Sequence, residues 1–439
     1  MRLIFLMMLL LASQYALAVE DERLLFRLHG SNTIGAQLGP ELVKRWLAKQ
    51  AYTKITQRSV AENEYQISAV NKRGEVREVE IRAHGSSTGF KSLIKGRADI
   101  GMSSRPIKSR EVKKMRGLGD MLSADSEYVI GMDGIAVIIN RDNPIASLSK
   151  QTVKKIFTGE ITHWEQITKK FKGKIKVHAR DDKSGTYDTF KALVLGKKTP
   201  LVKNALRFES NAALSQQVSS APGAIGFVGL PYINASKAVA IAEKGAHAKE
   251  AKSFDVATED YALSRRLYMY VADIKQNKHV ESFIEFSISD AGQDIVSRTG
   301  FVSQKLSAQT ISPDPRFPDE YLKFTAQGQR LSLNLRFKKG GLLLDNKANR
   351  DVHRLVAYMK SPANLKKRVM LFGFAESHET TPVFSLDLST NRADYVSDKL
   401  VRKGVGPVRV RGYGSAIPVA SSEDAGGRHK NRRVEVWVK

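Results

Sequence analysis

Three times in its N-terminal half the chain runs from a strand-like apolar segment through a Gly/Ser-rich turn into an amphipathic helix. Leu24, Leu25, Phe26 and Leu28 lead into Gly30-Ser31-Asn32-Thr33-Ile34-Gly35, followed by Leu42, Val43, Trp46 and Leu47 on one helical face. Val79 and Ile81 alternate into Ala83-His84-Gly85-Ser86-Ser87-Thr88-Gly89, and Phe90, Leu93 and Ile94 form the next helical face. Ile175 and Val177 lead into Arg180-Asp181-Asp182-Lys183-Ser184-Gly185-Thr186, with Tyr187, Phe190 and Val194 at helical spacing beyond. Each unit predicts strand, tight turn, helix.

A helix start carries unpaired backbone N–H groups and the positive end of the peptide dipoles, so it attracts anions. Ser184 and Thr186 add hydroxyl donors, and Gly185 permits close backbone approach. Arg180 offers a planar, permanently charged fork, and Asp182 is placed to hold that fork or to take a proton from a ligand. One such turn is a weak signal, because Gly-Ser turns before helices are common. Three of them in one region point to a desolvated oxyanion pocket.

The surrounding sequence restricts the setting. Arg2, the apolar run Leu3–Ala12 and the small residues of Ala16-Leu17-Ala18 predict a secretory signal peptide over 1–18. Ser13 and Gln14 interrupt the run too early for a membrane span. With no cysteine in 439 residues, an exported chain must be stable through its cores alone, which suits the periplasm of a Gram-negative bacterium. The formal charge of +26 favours anionic partners, and export sets nucleic acid aside. Runs such as Lys169-Lys170-Phe171-Lys172 read as solvated faces. Gly196-Lys197-Lys198-Thr199 lacks the leading glycine of a P-loop, and His378-Glu379-Thr380-Thr381 lacks the second histidine of a zinc-protease helix. No metal or cofactor is expected.

Residues from about Leu24 to Phe301 resemble the periplasmic phosphate-binding proteins of high-affinity phosphate uptake. The resemblance is carried by Gly30-Ser31-Asn32-Thr33, Gly85-Ser86-Ser87-Thr88-Gly89, Ala98-Asp99-Ile100-Gly101-Met102-Ser103-Ser104-Arg105 and the Arg180–Thr186 loop, among other blocks. It implies an α/β, two-lobed solute-binding fold of mixed sheets, with the anion in the interlobe cleft. Tyr128–Asn140 is expected as the first crossing between lobes and Ala224–Pro231 as the return. Carried over, the phosphate contacts fall on Thr33, Ile34, Ser86, Ser104, Arg180, Ser184, Gly185 and Thr186, with Asp182 orienting the arginine. Ser104 stands where the best-known members have an aspartate that accepts the proton phosphate carries and sulfate lacks. Arg105 has two readings, a second cation in the pocket or a surface or hinge ion pair.

Ile311–Asp319 holds three prolines and predicts a stiff linker over 311–330, between a domain at 19–310 and one at 331–439. In the latter, Leu331, Leu333, Leu335 and Phe337 alternate as a strand, and Val352, Leu355, Val356 and Met359 make a helical face. Leu388-Ser389-Thr390-Asn391-Arg392-Ala393, Gly412-Tyr413-Gly414 and Asn431-Arg432-Arg433-Val434-Glu435-Val436 resemble the OmpA-like peptidoglycan-binding domain. That family clamps the wall peptide's diaminopimelate with an Asp and an Arg. Arg392 takes the arginine position and Glu376 the aspartate position.

The expected function is therefore binding, with no catalysis: capture of inorganic phosphate, and retention on peptidoglycan. A transport role would need an ABC-transporter permease as partner. The alternative is a structural cell-envelope protein whose solute-binding fold takes another oxyanion or a partner.

Overall fold

Strand β1 (Leu24–Gly30) organises the first of two units into which the chain divides, residues 23–130 with 266–299. The computed structural model describes residues 23–182, 184–196, 198–272, 276–311, 315–423 and 425–439. The expected signal peptide, Lys183, Lys197 and residues 312–314 of the expected linker lie outside these. In the first unit β2 (Thr53–Ala61), β3 (Glu64–Val70), β4 (Val76–Arg82), β1, β5 (Ile100–Ser103) and the strand Ser264–Val271 lie side by side. Helix α1 (Leu38–Lys49) buries Leu42, Val43, Trp46 and Leu47, the face expected from its spacing. Trp46 meets Phe26 edge-on at 5.3 Å, so α1 is fixed to β1 by ring packing as well as burial. β1 pairs in parallel with both β4 and β5, so the turns that follow these three strands emerge at one sheet edge.

The second unit comprises residues 131–265 and 300–439. Its first sheet is ordered β6 (Glu127–Ile139), β9 (Ala224–Gly229), β7 (Lys176–Arg180), β8 (Leu206–Phe208). The chain enters this unit within β6, where the first crossing was expected, but Ala224–Pro231 is not the return. β9 pairs with β6 on one side and β7 on the other, and its first five residues are buried. A continuous apolar run enclosed by neighbours on both sides is a central strand. The return comes at Arg265/Arg266, within the strand Ser264–Val271.

The C-terminal sheet runs β10 (Ala308–Gln309), β11 (Gln329–Arg336), β14 (Arg433–Val438), β12 (Val369–Phe374), β13 (Arg409–Gly412). One face packs Leu331, Leu333 and Leu335 against Val352 and Leu355 of the helix Asn346–Lys360 and Ala393 and Val396 of the helix Pro382–Val401. The other face buries Phe372, Phe374 and Trp437 under Tyr321. Tyr321 belongs to the helix Asp319–Thr325 and donates its hydroxyl to Glu435 Oε2 at 2.7 Å. The expected linker 311–330 is thus corrected in its second half, which is a folded layer of the C-terminal domain.

The alternation in β11 predicts a polar face turned to water, and here the structure departs from it. Arg330, Ser332, Asn334 and Arg336 are all buried. Asn334 Nδ2 donates to Thr258 O at 2.7 Å and Asp260 Oδ1 at 2.8 Å, and Arg336 Nη2 donates to the same two oxygens at 2.7 and 3.3 Å. Arg330 pairs with Asp260 at 2.8 Å and Glu435 at 3.4 Å. Lys430 Nζ donates to Tyr261 O at 3.1 Å, and Ser421 N donates to Glu243 Oε2 at 2.9 Å. The C-terminal domain is docked on residues 243–264 through a buried polar seam. Burial alone would raise the Asp260 pKa, but Arg330 and Arg336 outweigh it and hold the carboxyl far below the usual range.

Candidate functional site

The three turns at the end of β1, β4 and β5 interlock. Gly30 has φ +139°, and a Cβ there would lie 2.1 Å from Met102 O, so only glycine fits. Gly85 N donates to Gly30 O at 2.6 Å, and Ser31 N donates to Met102 O at 3.0 Å. Ser104 N donates to Ser86 Oγ at 3.1 Å, and the Ser86 and Ser104 hydroxyls are 3.4 Å apart. Ser86 opens helix α2 (Ser86–Ile94), so its hydroxyl stands at the positive end of that helix. Thr33 and Ile34 lie in the one-turn helix Asn32–Gly35. The Ile34 side chain is fully buried and its N–H donates to Ser31 O at 3.2 Å, so its backbone donor is already engaged locally.

Arg105 takes the second of its two readings. Its guanidinium meets Glu111 at 2.8 and 2.7 Å, donates to Ser87 Oγ at 3.0 Å and lies 5.2 Å from the centre of the Phe90 ring. Burial works to raise the Glu111 pKa, but the Arg105 bonds and the Lys108 N–H outweigh it and keep the carboxylate charged.

In the second unit, β7 ends at Arg180 and helix α3 (Gly185–Phe190) starts after the turn. Ser184 caps it, its Oγ accepting from Tyr187 N at 3.4 Å. Arg180 donates through Nε to Phe208 O at 3.2 Å and through Nη2 to Glu209 O at 2.6 Å, and lies 3.6 Å from Asp181. Burial pulls its pKa down, and Asp181 pushes it back. The expected orienting role of Asp182 is not what the structure shows. The Asp182 carboxylate is 80% exposed and accepts from Arg207 Nη2 at 3.0 Å, because Arg207, across the paired strand, is stacked over Tyr187 at 4.6 Å. Gly185 O accepts from Thr189 Oγ1 at 2.8 Å and from Arg265 Nη2 at 3.4 Å, and Arg265 is itself paired with Asp133 at 3.1 Å. A buried ion pair therefore braces the first turn of α3, which includes Thr186.

In the C-terminal domain Arg392 is fully buried and meets Glu379 through two bonds of 2.7 and 2.9 Å. Glu379 Oε2 also accepts from Glu376 N at 3.2 Å, and Arg432 Nε lies 3.7 Å from Oε1. Glu376, expected beside Arg392, instead has its carboxylate 2.9 Å from His378 Nδ1. Burial opposes its charge, but the bonds from His378 and its serine neighbours hold its pKa below the usual value. The charge that faces Arg392 comes from three residues further along the chain.

A PBP superfamily domain matches residues 50–291, more than half the chain, and an OmpA family domain matches residues 336–432. The phosphate-binding protein PstS of Staphylococcus haemolyticus is 30% identical over 244 residues, covering 54% of this chain and 72% of that protein. The chain belongs to the PBP superfamily. Among solved structures, an ABC-type phosphate transport receptor from Vibrio cholerae is 23% identical with a TM-score of 0.50, covering 63% of this chain and 99% of that one. A possible phosphate binding protein from Planctomyces limnophilus is 22% identical with a TM-score of 0.52, covering 69% and 96%. These likenesses agree on the solute-binding fold.

Within this PBP superfamily member, the geometry brings together Ser86 and Ser104 in one unit and Arg180 with the capped start of α3 in the other. Sequence reasoning missed three groups. Arg265 and Asp133 were legible only as parts of apolar strands, and nothing local marks them as a pair. Glu379 was weighed only as a zinc-motif residue, although an acid at the opening of the helix that carries Arg392 was the available signal. The Asn32 amide oxygen is buried with no partner among the described residues, beside the Gly85 turn.

Proposed function

We propose that this protein is a capture protein for inorganic phosphate that is exported to the periplasm and retained at the cell wall. Ser86, Ser104 and Thr33 are the donors of the first unit. Arg180, Ser184, Gly185 and Thr186 are those of the second. The observation that carries the proposal is the interlock of the Gly30, Gly85 and Ser104 turns, which holds hydroxyl and N–H donors at one sheet edge without help from a ligand. Such preorganisation lowers the cost of ordering on binding. The PstS relatives support phosphate over other oxyanions. With serine at 104, exclusion of sulfate falls to the remaining donors, since a hydroxyl does not repel a fully ionised anion as a carboxylate would.

No catalytic step is proposed, because the Ser184 hydroxyl caps α3, the Ser86 and Ser104 hydroxyls meet each other, and among the described residues no base is placed to activate them. Peptidoglycan binding is assigned to the C-terminal domain on the strength of its OmpA family match. There a wall carboxylate would have to compete with Glu379 for Arg392. Partnership with an ABC-transporter permease follows only if capture feeds transport.

Calorimetric titration of the chain, stripped of anion by unfolding and refolding, tests the proposal. Phosphate is expected to bind saturably, and Arg180→Ala to weaken it by about 2–5 kcal/mol, the cost of losing one partner of a desolvated charge pair. Unchanged binding in that variant would remove Arg180 from the site.

A further inference from the structure

The loop that begins at Arg180 is gripped from outside by Arg207, Phe208 and Glu209, at the edge of the sheet. β8 pairs in parallel with β7, with Arg207 opposite Ala179 and Phe208 opposite Arg180. Phe208 O accepts from Arg180 Nε at 3.2 Å and from Asp181 N at 3.0 Å, and Glu209 O accepts from Arg180 Nη2 at 2.6 Å. Arg207 returns the grip through one planar group. Its Nη1 donates to Arg180 O at 2.6 Å, its Nη2 donates to Asp182 Oδ1 at 3.0 Å, and its guanidinium lies 4.6 Å from the centre of the Tyr187 ring. These attachments fall on the last residue of β7, on the turn and on the first turn of α3. Ser184, Gly185 and Thr186 lie between the second attachment and the third.

The Asp182 contact alone would contribute little, since that carboxylate is 80% exposed and water screens it. The carbonyl and the ring carry the bracing. An arginine fork is rigid, and it stacks and donates in two directions at once, which an ammonium on a flexible stem does not. We propose that Arg207 is a positioning residue for anion capture. Without touching the anion, it fixes the path of the chain from Arg180 to Tyr187 and so the direction in which the donors of that loop point. The inference rests on the capture reading above. It gives Arg207 the bracing that family order places on Asp182, which here serves as one of Arg207's anchors. A loop held in its receiving shape loses little freedom on binding, whereas a loosened one must be ordered by the ligand.

The test is calorimetric titration of the full chain, stripped of anion, with inorganic phosphate. It is run in low salt and again in about 1 M sodium chloride, where the Debye length falls to ~3 Å. Arg207→Gln should weaken phosphate by about tenfold or more, the scale on which contacting residues couple. Arg207→Lys should recover little of that loss, because it keeps the charge without the fork. The gap between the parent and each variant should persist in high salt, since a contact is screened far less than a field. Leu206→Ser is the control. It disturbs the same edge strand at a residue 53% exposed, and it should bind phosphate as the parent does. Should Arg207→Gln fail to fold by circular dichroism, Arg207→Lys decides alone. Unchanged binding in the Arg207 variants, full recovery by lysine, a gap that closes in high salt, or an equal loss in Leu206→Ser would each overturn the assignment and leave capture in place. No saturable phosphate binding by the parent would overturn the capture reading and this inference with it.

Discussion

Removing the charge of Asp260 should undock the C-terminal domain. Asp260 is fully buried and meets Arg330 at 2.8 Å, Asn334 at 2.8 Å and Arg336 at 3.3 Å. Asp260→Asn keeps the volume and leaves two buried guanidinium groups facing a neutral amide. Taking away one partner of a buried ion pair costs about 3–5 kcal/mol, because the remaining charge is stranded out of water. Arg330 retains Glu435 at 3.4 Å and Arg336 retains Glu259 at 3.6 Å, so we place this substitution near the lower bound, about 3 kcal/mol. Urea denaturation would read that loss as a lower midpoint at an unchanged slope if unfolding remains a single step. Hydrogen exchange would locate it, with faster exchange in peptides spanning 256–266 and 329–337. Adding Arg336→Met should restore part of the loss, since the stranded cation and not the missing contact carries most of the cost. The pH dependence has a definite sign. The folded pKa of Asp260 lies below its unfolded value near ~3.9, so its stabilisation is complete above that pH and disappears only as pH falls towards the folded value. Docking should therefore survive mild acid. A midpoint within about 0.5 kcal/mol of the parent, with exchange unchanged in both peptides, would refute this account of the seam.

Three further outcomes are expected. Ser104→Asp should leave phosphate binding within about tenfold and weaken sulfate much more, because a carboxylate beside Ser86 accepts a proton that only phosphate carries; equal effects on both anions in calorimetry would show that residue 104 does not face the ligand. Glu379→Gln should strand the buried Arg392 guanidinium and lower the stability of the C-terminal domain by about 3 kcal/mol in urea denaturation, and an unchanged midpoint would mean that this pair does not brace the domain. Gly30→Ala, at φ +139° and against Met102 O, should lower stability by about 1–3 kcal/mol and weaken phosphate through the displaced turns, as read by thermal unfolding and titration of the same sample.

The strand–turn–helix units, the face of α1 and both domain classes were legible because each rests on local periodicity and on short blocks of adjacent residues. Individual charges were not. Asp182 and Arg392 were each read beside the neighbour that family order suggests, and in the structure each is engaged by a residue that order did not single out. For Arg105 an ion pair was one of two readings, but nothing local named Glu111 as its partner. An ion pair depends on which side chains happen to converge across strands, and a guanidinium reaches several candidate carboxylates about equally well. β11 shows the same limit on a larger scale. Its alternation of Leu with Arg and Asn indicates a strand with one polar face, but what covers that face comes from Thr258 and Asp260, far away in sequence. A proline-rich segment suggested separation because nothing local in it reveals that Tyr321 will close over Trp437.

The docking seam also imposes an order on biosynthesis. Asp260 leaves the ribosome, or the export channel, long before its cations, and Arg336 follows 76 residues later. At about 5–20 residues per second of synthesis, the carboxylate waits for several seconds on a lobe that already has its strands in hand. The C-terminal domain, by contrast, arrives with two guanidinium groups aimed at a surface that must already exist. A chain shortened before Gln329 could finish folding its earlier parts. The reverse fragment, beginning there, would have to bury Arg330 and Arg336 with nothing to receive them, and is the piece that quality-control proteases should find first.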